Sequence, residues 1–99
     1  MPAVARIDDT ILTGHGCTPQ TTIIGPSENV FVNNRGVERR GDPTKLHSFG
    51  GRRCSSVHSA QINAGSSTVF VNNKPLARVN DSVDSGFITS GSPNVFAGG

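Results

Sequence analysis

All three histidines and both cysteines of the chain lie within its first 58 residues. Imidazole nitrogen and thiolate sulfur are the ligands that Zn²⁺ prefers in proteins, usually four of them in a tetrahedron. His15 and Cys17 form an H-x-C pair, Cys54 and His58 form a C-x₃-H pair, and His47 stands alone between them. Neither spacing is diagnostic by itself, so the prediction of a metal site depends on the clustering of the five residues.

Two other interpretations of these residues stay open. The imidazoles and thiols can be exposed and inert, or Cys17 and Cys54 can form a disulfide that closes a long loop. The disulfide is less favoured, because the N-terminal stretch MPAVARIDD lacks the apolar run of a secretory signal peptide. A hydrophobic content of 33% in 99 residues predicts a thin core. Structural zinc supplies folding free energy that such a core lacks, which favours the metal.

Catalysis is not favoured by the residue pattern. No glutamate stands beside a candidate ligand as the general base does in H-E-x-x-H, and no glycine-rich loop could cradle a phosphate. Three aspartates, Asp9, Asp42 and Asp81, recur at equivalent places in the sequence. This recurrence predicts a structural role, either in turns or in pairs with nearby arginines.

The charge pattern does not indicate a nucleic-acid-binding protein. The formal net charge is only +2, and no aromatic residues interleave with the basic pairs Arg39-Arg40 and Arg52-Arg53 as stacking platforms. No stretch approaches the roughly 20 apolar residues of a transmembrane helix. We therefore expect no nucleic-acid partner and no membrane-spanning segment.

The elements that must position these residues are predicted to be short strands joined by turns. No helical periodicity extends beyond about two turns, whereas apolar β-type runs bounded by Gly, Pro, Ser or Asn recur. The predicted strands are residues 22–24, 29–33, 68–72 and 94–97. Asparagine tolerates the left-handed conformation of tight turns, so Asn33-Asn34 and Asn72-Asn73 are predicted to form turns.

The chain also repeats itself. ENVFVNNRGVERRGD at 28–42 and STVFVNNKPLARVND at 67–81 share Val-Phe-Val-Asn-Asn, and a shorter SPNVFA ends the chain. We interpret the sequence as one domain, residues 1–99, of three pseudo-threefold β-hairpin units at about 6–34, 40–73 and 78–97. The candidate metal ligands lie in the variable inserts of the first two units.

The segments that join the units identify a family resemblance. Pro2-Ala3-Val4-Ala5-Arg6, Gly36-Val37-Glu38-Arg39-Arg40 and Pro75-Leu76-Ala77-Arg78 resemble the Pro-Ala-Ala-Arg motif of the PAAR-repeat family. The surrounding frame, a Val-Phe-Val-Asn strand followed by Arg-x-x-Asp, is similar to that family over essentially the whole chain. The resemblance implies a mainly β, cone-shaped fold with a metal site near the apex.

The resemblance also implies a function and a ligand set. Members of the family form the tip of the central spike in contractile phage tails and type VI secretion systems. Many supply a cysteine ligand in the third unit, where this chain reads Asp81-Ser82-Val83-Asp84-Ser85-Gly86. The implied ligands of Zn, with Fe as the alternative metal, are therefore three histidines and one cysteine from an earlier unit: His15, His47, His58 and Cys54, with Cys17 as the alternative.

The implied partner is a trimeric β-helical spike protein, bound through the base of the cone with one tip per trimer. The tip would touch the target cell's outer membrane transiently and would not be an enzyme. The absence of a toxin-like extension favours a phage baseplate, assembled in the host cytoplasm and carried in the virion, over export by type VI secretion. A small zinc hydrolase and a secreted, disulfide-linked adhesion module are the rival interpretations.

Overall fold

The computed structural model describes all residues from Met1 to Gly99 and is built from ten short β-strands. The strands are β1 (Thr10–Leu12), β2 (Gln20–Thr22), β3 (Phe31–Val32), β4 (Arg35–Gly36), β5 (His47–Gly50), β6 (Ser56–His58), β7 (Phe70–Val71), β8 (Lys74–Pro75), β9 (Ser82–Val83) and β10 (Gly86–Ile88). A single 3₁₀ turn covers Arg52–Cys54. The prediction of a mainly β fold is confirmed, and no helix is long and apolar enough to cross a membrane.

One sheet joins the two ends of the chain. Its order is β2-β1-β10-β9, all antiparallel, with Ile11 opposite Ile88 and Leu12 opposite Phe87. The other strands form three two-stranded hairpins, β3-β4, β5-β6 and β7-β8. The region predicted as a strand at 94–97 has only a single bridge, between Ala3 and Phe96.

The two predicted asparagine turns are confirmed. Asn33 and Asn34 connect β3 to β4 with φ of 55° and 64°, and Asn72 and Asn73 connect β7 to β8 with φ of 53° and 65°. Two consecutive residues at positive φ form the turn type whose twist matches that of the flanking strands. The repeated Val-Phe-Val-Asn-Asn sequence thus encodes two equivalent hairpins.

The three Pro-Ala-Ala-Arg-like segments meet in a closed ring of backbone hydrogen bonds. The Ala5 amide donates to the Ala77 carbonyl, Ala77 to Glu38, and Glu38 to Ala5, each over 3.0 Å. All three residues are completely buried. A cycle of three identical contacts between equivalent residues places them around a common pseudo-threefold axis.

An arginine–aspartate pair follows each member of this ring. The arginine backbone N–H donates to the aspartate Oδ2, and its Nε and Nη2 donate to the two carboxylate oxygens. The pairs are Arg6–Asp9, Arg39–Asp42 and Arg78–Asp81, with Nε–Oδ2 distances of 3.0, 2.8 and 3.1 Å. The predicted structural role of the aspartates is confirmed. In the second unit the pair is formed by Arg39 rather than Arg40. Arg39 stands three residues before Asp42, the spacing at which its backbone N–H and its guanidinium both reach the carboxylate.

Three equivalent serines link neighbouring units. Ser27, Ser66 and Ser92 are buried, and each hydroxyl oxygen accepts backbone N–H groups two and three residues further on. Each hydroxyl also donates across to another unit, over 2.6–2.7 Å. The acceptors are Asn72 Oδ1 for Ser27, the Gly98 carbonyl for Ser66 and Asn33 Oδ1 for Ser92. The cycle closes from the third unit back to the first.

The apolar core consists of two clusters, and two of the three ring residues, Ala5 and Ala77, belong to one of them. One cluster contains Val4, Val37, Val71, Leu76 and Ala97 and lies beside the Val-Phe-Val hairpins. The other contains Ala5, Ile11, Ile23, Ile62, Ala77, Val83 and Ile88 and lies beside the strands β1, β9 and β10. The whole chain measures 41 × 24 × 21 Å along its principal axes. The chain is thus elongated, as expected if the Val-Phe-Val hairpins, the ring and the second core cluster follow one another along one axis.

Glu38 breaks the symmetry of the ring. Its two equivalents are Ala5 and Ala77, whereas Glu38 is completely buried and neither carboxylate oxygen has a hydrogen-bond partner. Burial, together with the nearby Asp42 carboxylate, raises the pKa of Glu38 from its usual value near 4.5 to about 9. The side chain is therefore protonated at neutral pH and still lacks the partner that a buried carboxyl group normally has.

Candidate metal centre

Four side chains converge beyond the second core cluster: His15, His47, His58 and Asp84. One ligand atom from each lies within 4.8 Å of all the others. His15 Nε2 is 2.8 Å from Asp84 Oδ1, and His47 Nε2 is 2.8 Å from Asp84 Oδ2. His58 Nε2 is 3.0 Å from His47 Nε2 and 3.2 Å from Asp84 Oδ2. The structure thus brings the three predicted histidines together.

Two of the histidines come from one hairpin. His47 opens β5 and His58 closes β6, and the two residues lie directly opposite each other in the antiparallel register. Side chains at directly opposed positions share a face of the hairpin, so both imidazoles point the same way. Phe49, two residues after His47, stacks on the His58 ring with centroids 4.3 Å apart. The hairpin register therefore fixes this half of the site.

His15 is placed by a close approach between two segments. It follows Gly14, whose φ is +80°, and a Cβ at Gly14 would lie 2.6 Å from the Ser85 side chain. Only glycine allows the segment after β1 to lie this close to the β9–β10 turn. The His15 backbone N–H also donates to the Thr13 hydroxyl over 3.0 Å. These contacts hold the imidazole next to Asp84.

Asp84 lies in the turn between β9 and β10, at a positive φ of 56°. Its side chain is only 6% exposed. Burial alone would disfavour the charged carboxylate, but contacts with His47, His15 and His58 outweigh that cost and lower its pKa. Asp84 is therefore an anionic acceptor at the centre of three imidazoles.

The orientation of His47 is suited to metal binding. Its Nδ1 lies 2.8 Å from the Lys45 carbonyl oxygen, which can only accept, so Nδ1 carries the proton. The lone pair of the neutral ring is then on Nε2, the atom that faces the other three groups. A backbone carbonyl in this position is a common outer partner of a metal-bound histidine.

The geometry of the four groups fits a single metal ion. Ligand atoms of a tetrahedral zinc site with bonds of 2.0–2.1 Å are about 3.3 Å apart. Four contacts within the group are 2.8–3.2 Å, slightly shorter than that separation, and the ligand atoms all lie within 4.8 Å of one another. Two imidazole nitrogens 3.0 Å apart cannot both present lone pairs without a proton or cation between them. Imidazole and carboxylate donors suit both zinc and iron.

Neither cysteine joins this group, contrary to the prediction of Cys54, or alternatively Cys17, as the fourth ligand. The two sulfurs form a disulfide, and the chain has no free cysteine. A sulfur in a disulfide has no thiolate to offer a metal. The bond joins the segment after His15 to the 3₁₀ turn before β6, so both cysteines lie in loops around the site.

Asp84 is the member of the group that the sequence interpretation missed. It lies in the third unit, after Asp81, where the family pattern supplies a cysteine. An aspartate within Asp-Ser-Gly reads most simply as a turn residue. The available signal was its position: a carboxylate in the cysteine's place can also bind zinc. The ligand role of the four side chains remains a prediction.

Loss of the disulfide is expected to destabilise the protein measurably. Cys17 and Cys54 are separated by 37 residues, and a cross-link of that span typically contributes about 2–4 kcal/mol by restricting the unfolded chain. Urea unfolding of the C17S/C54S variant, at equal metal content, should show this loss. Reductant should lower the urea midpoint of the wild type and leave that of the variant unchanged. Equal midpoints for the oxidised and reduced wild type would contradict the expectation.

Comparison with protein families gives one match. Residues 54–99 match the family model of the PAAR motif. This segment contains His58, the second Val-Phe-Val hairpin, the Pro75–Arg78 motif and Asp84. No curated protein matches the chain. The match supports membership of the PAAR-repeat family, and of the three segments that carried the resemblance it contains Pro75–Arg78.

Proposed function

We propose that this chain, a member of the PAAR-repeat family, forms the tip of a contractile injection machine by capping its trimeric central spike. The family match supports the spike-tip role itself. The finer parts of the proposal are the trimeric β-helical partner, the ratio of one tip per trimer and a phage tail baseplate as the setting, with a type VI secretion spike as the alternative. On this proposal the protein acts mechanically and not as an enzyme.

The observation that carries the proposal is a threefold set of exposed phenylalanines. Phe31, Phe70 and Phe96 follow equivalent valines in the three units and are 58%, 57% and 50% exposed. The valine before each of them is also exposed. Three related apolar surfaces on one monomer indicate an interaction site rather than scattered surface residues.

The symmetry of this surface suits a trimeric partner. The backbone ring and the serine cycle place the three units around one axis, so each Phe has the same relation to that axis. A pseudo-threefold monomer can present one equivalent contact to each chain of a true trimer. β3 and β7 are each hydrogen-bonded to only one strand of the fold. Unpaired strand edges of this kind can accept a further strand from a partner.

A metal at the opposite end would suit a piercing tip. The four side chains of the candidate centre come from the β1–β2 segment, the β5-β6 hairpin and the β9–β10 turn. A single ion would cross-link these three segments where apolar packing is thin. We propose zinc as that ion, held by His15, His47, His58 and Asp84, with iron as the alternative.

Co-purification with a trimeric spike protein of a contractile injection machine tests the proposed partner. The expected complex contains one copy of this chain for every three spike chains, measured by native mass spectrometry. A complex with three copies per trimer, or no complex, would contradict the capping role.

Introducing charge on the apolar surface is expected to weaken that complex. Replacing Phe70 by Asp should raise the dissociation constant about tenfold or more, as for a central apolar contact of an interface. The matched control is Phe87→Asp, since Phe87 is 41% exposed but lies on β10 in the four-stranded sheet. Equal weakening by the two substitutions would place the interface elsewhere.

A further inference from the structure

The β5-β6 hairpin carries a concentrated positive charge. From Pro43 to His58 the chain contains Lys45, Arg52 and Arg53 and no acidic residue. The formal net charge of the whole chain is +2, so without these three cations it would be −1. The hairpin is therefore the basic region of an otherwise slightly acidic molecule.

These cations are free to bind an external anion. Lys45, Arg52 and Arg53 are all exposed. None of the three side chains forms an ion pair with another residue of the chain. By contrast, Arg6, Arg39 and Arg78 are each satisfied by an aspartate. The side-chain charges of Lys45, Arg52 and Arg53 thus form no ion pair within the fold.

Large apolar side chains are exposed on the same hairpin. Leu46, just before β5, is 67% exposed, and Val57 in β6 is 55% exposed. Phe49 is 41% exposed but stacks on His58, on the side of the metal group. Val57 pairs with Ser48, the position next to the His47–His58 pair, so alternation turns Val57 away from the metal group. The hairpin therefore presents apolar and basic side chains together to solvent.

The loop that carries the arginines is held in an uncommon backbone conformation. Gly51, Arg53 and Cys54 all have positive φ, of 79°, 56° and 58°, and residues 51–55 are exposed. No packed side chain within the loop stabilises it, whereas the disulfide ties Cys54 to Cys17. The covalent link therefore keeps Arg52 and Arg53 projecting at the end of the hairpin.

We propose that this surface, formed by Lys45, Leu46, Arg52, Arg53 and Val57, binds an anionic lipid bilayer. Basic side chains attract anionic headgroups, and apolar side chains beside them enter the boundary between headgroups and acyl chains. The apolar residues favour a bilayer over a nucleic acid, because the Phe49 ring is already stacked on His58 and is not free to stack on a base. This inference rests on the proposed function at one point only, namely that the hairpin lies at the leading end of the spike.

Vesicle co-sedimentation of the intact, disulfide-bonded protein tests the inference without a spike partner. Vesicles of phosphatidylcholine with about one-third phosphatidylglycerol should sediment much more protein than pure phosphatidylcholine vesicles. High salt should abolish the difference, because exposed charges are screened. Equal binding to both vesicle types, or tighter binding to single-stranded DNA than to the anionic vesicles, would overturn the proposal.

Charge reversal on the hairpin should remove most of the binding. R52E/R53E should lower the partition coefficient for anionic vesicles about tenfold or more. The matched control is R40E/K74E, which makes the same charge change at two exposed cations that also have no ion-pair partner. Equal losses in both variants would mean that only net charge matters, and the proposed surface would be wrong.

Two further measurements test the surface: lipid binding after apolar side chains are replaced, and spike binding by the charge-reversed variant. L46S/V57S should lower the partition coefficient several-fold while its salt dependence is kept, and it also serves if R52E/R53E does not fold. R52E/R53E should still form the complex with a trimeric spike. If R52E/R53E loses lipid binding but still forms the complex, the result supports a role of the hairpin in lipid binding and does not test the capping role. If the wild type binds lipid but forms no complex with the spike, the result contradicts the capping role and leaves the lipid-binding proposal standing.

Discussion

Replacing His47 by Ala is expected to lower the free energy of unfolding more than any other single substitution in this chain. His47 is the most buried of the four converging side chains, with a side chain 1% exposed. Its loss would remove a ligand from the proposed metal site and leave the buried Asp84 carboxylate with fewer partners. Breaking a buried charged group's contacts typically costs about 3–5 kcal/mol, and loss of a structural metal adds to that cost.

The effect should be visible as a large change in melting temperature. For a domain of this size, each 1 kcal/mol shifts the melting temperature by about 4–8 °C, so a fall of about 20 °C or more is expected. Elemental analysis should find one zinc or iron ion per wild-type chain and none in His47→Ala. A chelator should lower the melting temperature of the wild type and leave that of the variant unchanged.

Substitution of Asp84 separates its role as a ligand from its role in the turn. Asp84→Asn keeps the size and the turn preference but removes the charge, so metal affinity should fall. Asp84→Cys places a thiolate in the third unit, as in many PAAR proteins, and should retain the metal. Cobalt substitution of this variant should add a sulfur-to-metal absorption band that the wild type lacks. A wild type purified without metal, and indifferent to chelator and to added zinc, would rule out the metal site.

The sequence predicted those parts of the fold that depend on local, repeated patterns. Asn-Asn at 33–34 and 72–73 specified two hairpin turns, because few residues tolerate consecutive positive φ. The i, i+3 spacing of Arg and Asp indicated the three arginine–aspartate pairs. Each of these features is formed by a few neighbouring residues, so a short stretch of sequence is enough to predict it.

The parts that were not predicted depend on contacts between distant segments. Asp84 meets His15 across 69 residues, and the pairing of β1 with β10 that brings them together has no local sequence signal. Cys17 and Cys54 illustrate the same limit. A thiol near histidines can be a metal ligand or part of a disulfide, and the sequence alone favoured the ligand, which the structure does not bear out. The tertiary structure brings the two sulfurs into a disulfide and places Asp84 beside the imidazoles.

Replacing Glu38 by Met is expected to stabilise the protein by about 3 kcal/mol at neutral pH, because folding then no longer requires a carboxyl group with an ordinary pKa near 4.5 to take up a proton. Glu38 lies completely buried in the hydrogen-bonded ring with two unpartnered oxygens, where the other units have Ala5 and Ala77. Met has a similar length and no group that needs a hydrogen bond. Glu38→Ala should stabilise less, because a shorter side chain leaves a cavity beside the core.

The destabilising effect of Glu38 should grow with pH. Its pKa is near 9 in the folded protein and near 4.5 when unperturbed, so the folded state keeps a proton that the unfolded chain releases. The contribution of this group to stability is therefore greatest below pH 4.5 and falls by about 1.4 kcal/mol per pH unit until pH 9. Over that window the pKa difference corresponds to at most about 6 kcal/mol. Asp42, Asp9 and Asp8 disfavour the charged form, whereas Arg39 favours it.

Glu38→Gln is the matched control that isolates the titration, because it keeps the length and the polar group but cannot lose a proton. Urea unfolding of the wild type and this variant, measured from about pH 5 to about pH 9, gives the difference in free energy at each pH. All other titratable groups are identical in the two proteins, so their contribution cancels in that difference. The wild type should lose stability relative to Gln as the pH rises, and Met should exceed both throughout. Parallel curves for Glu and Gln would mean that Glu38 ionises at its ordinary pKa, which would contradict its burial without a partner.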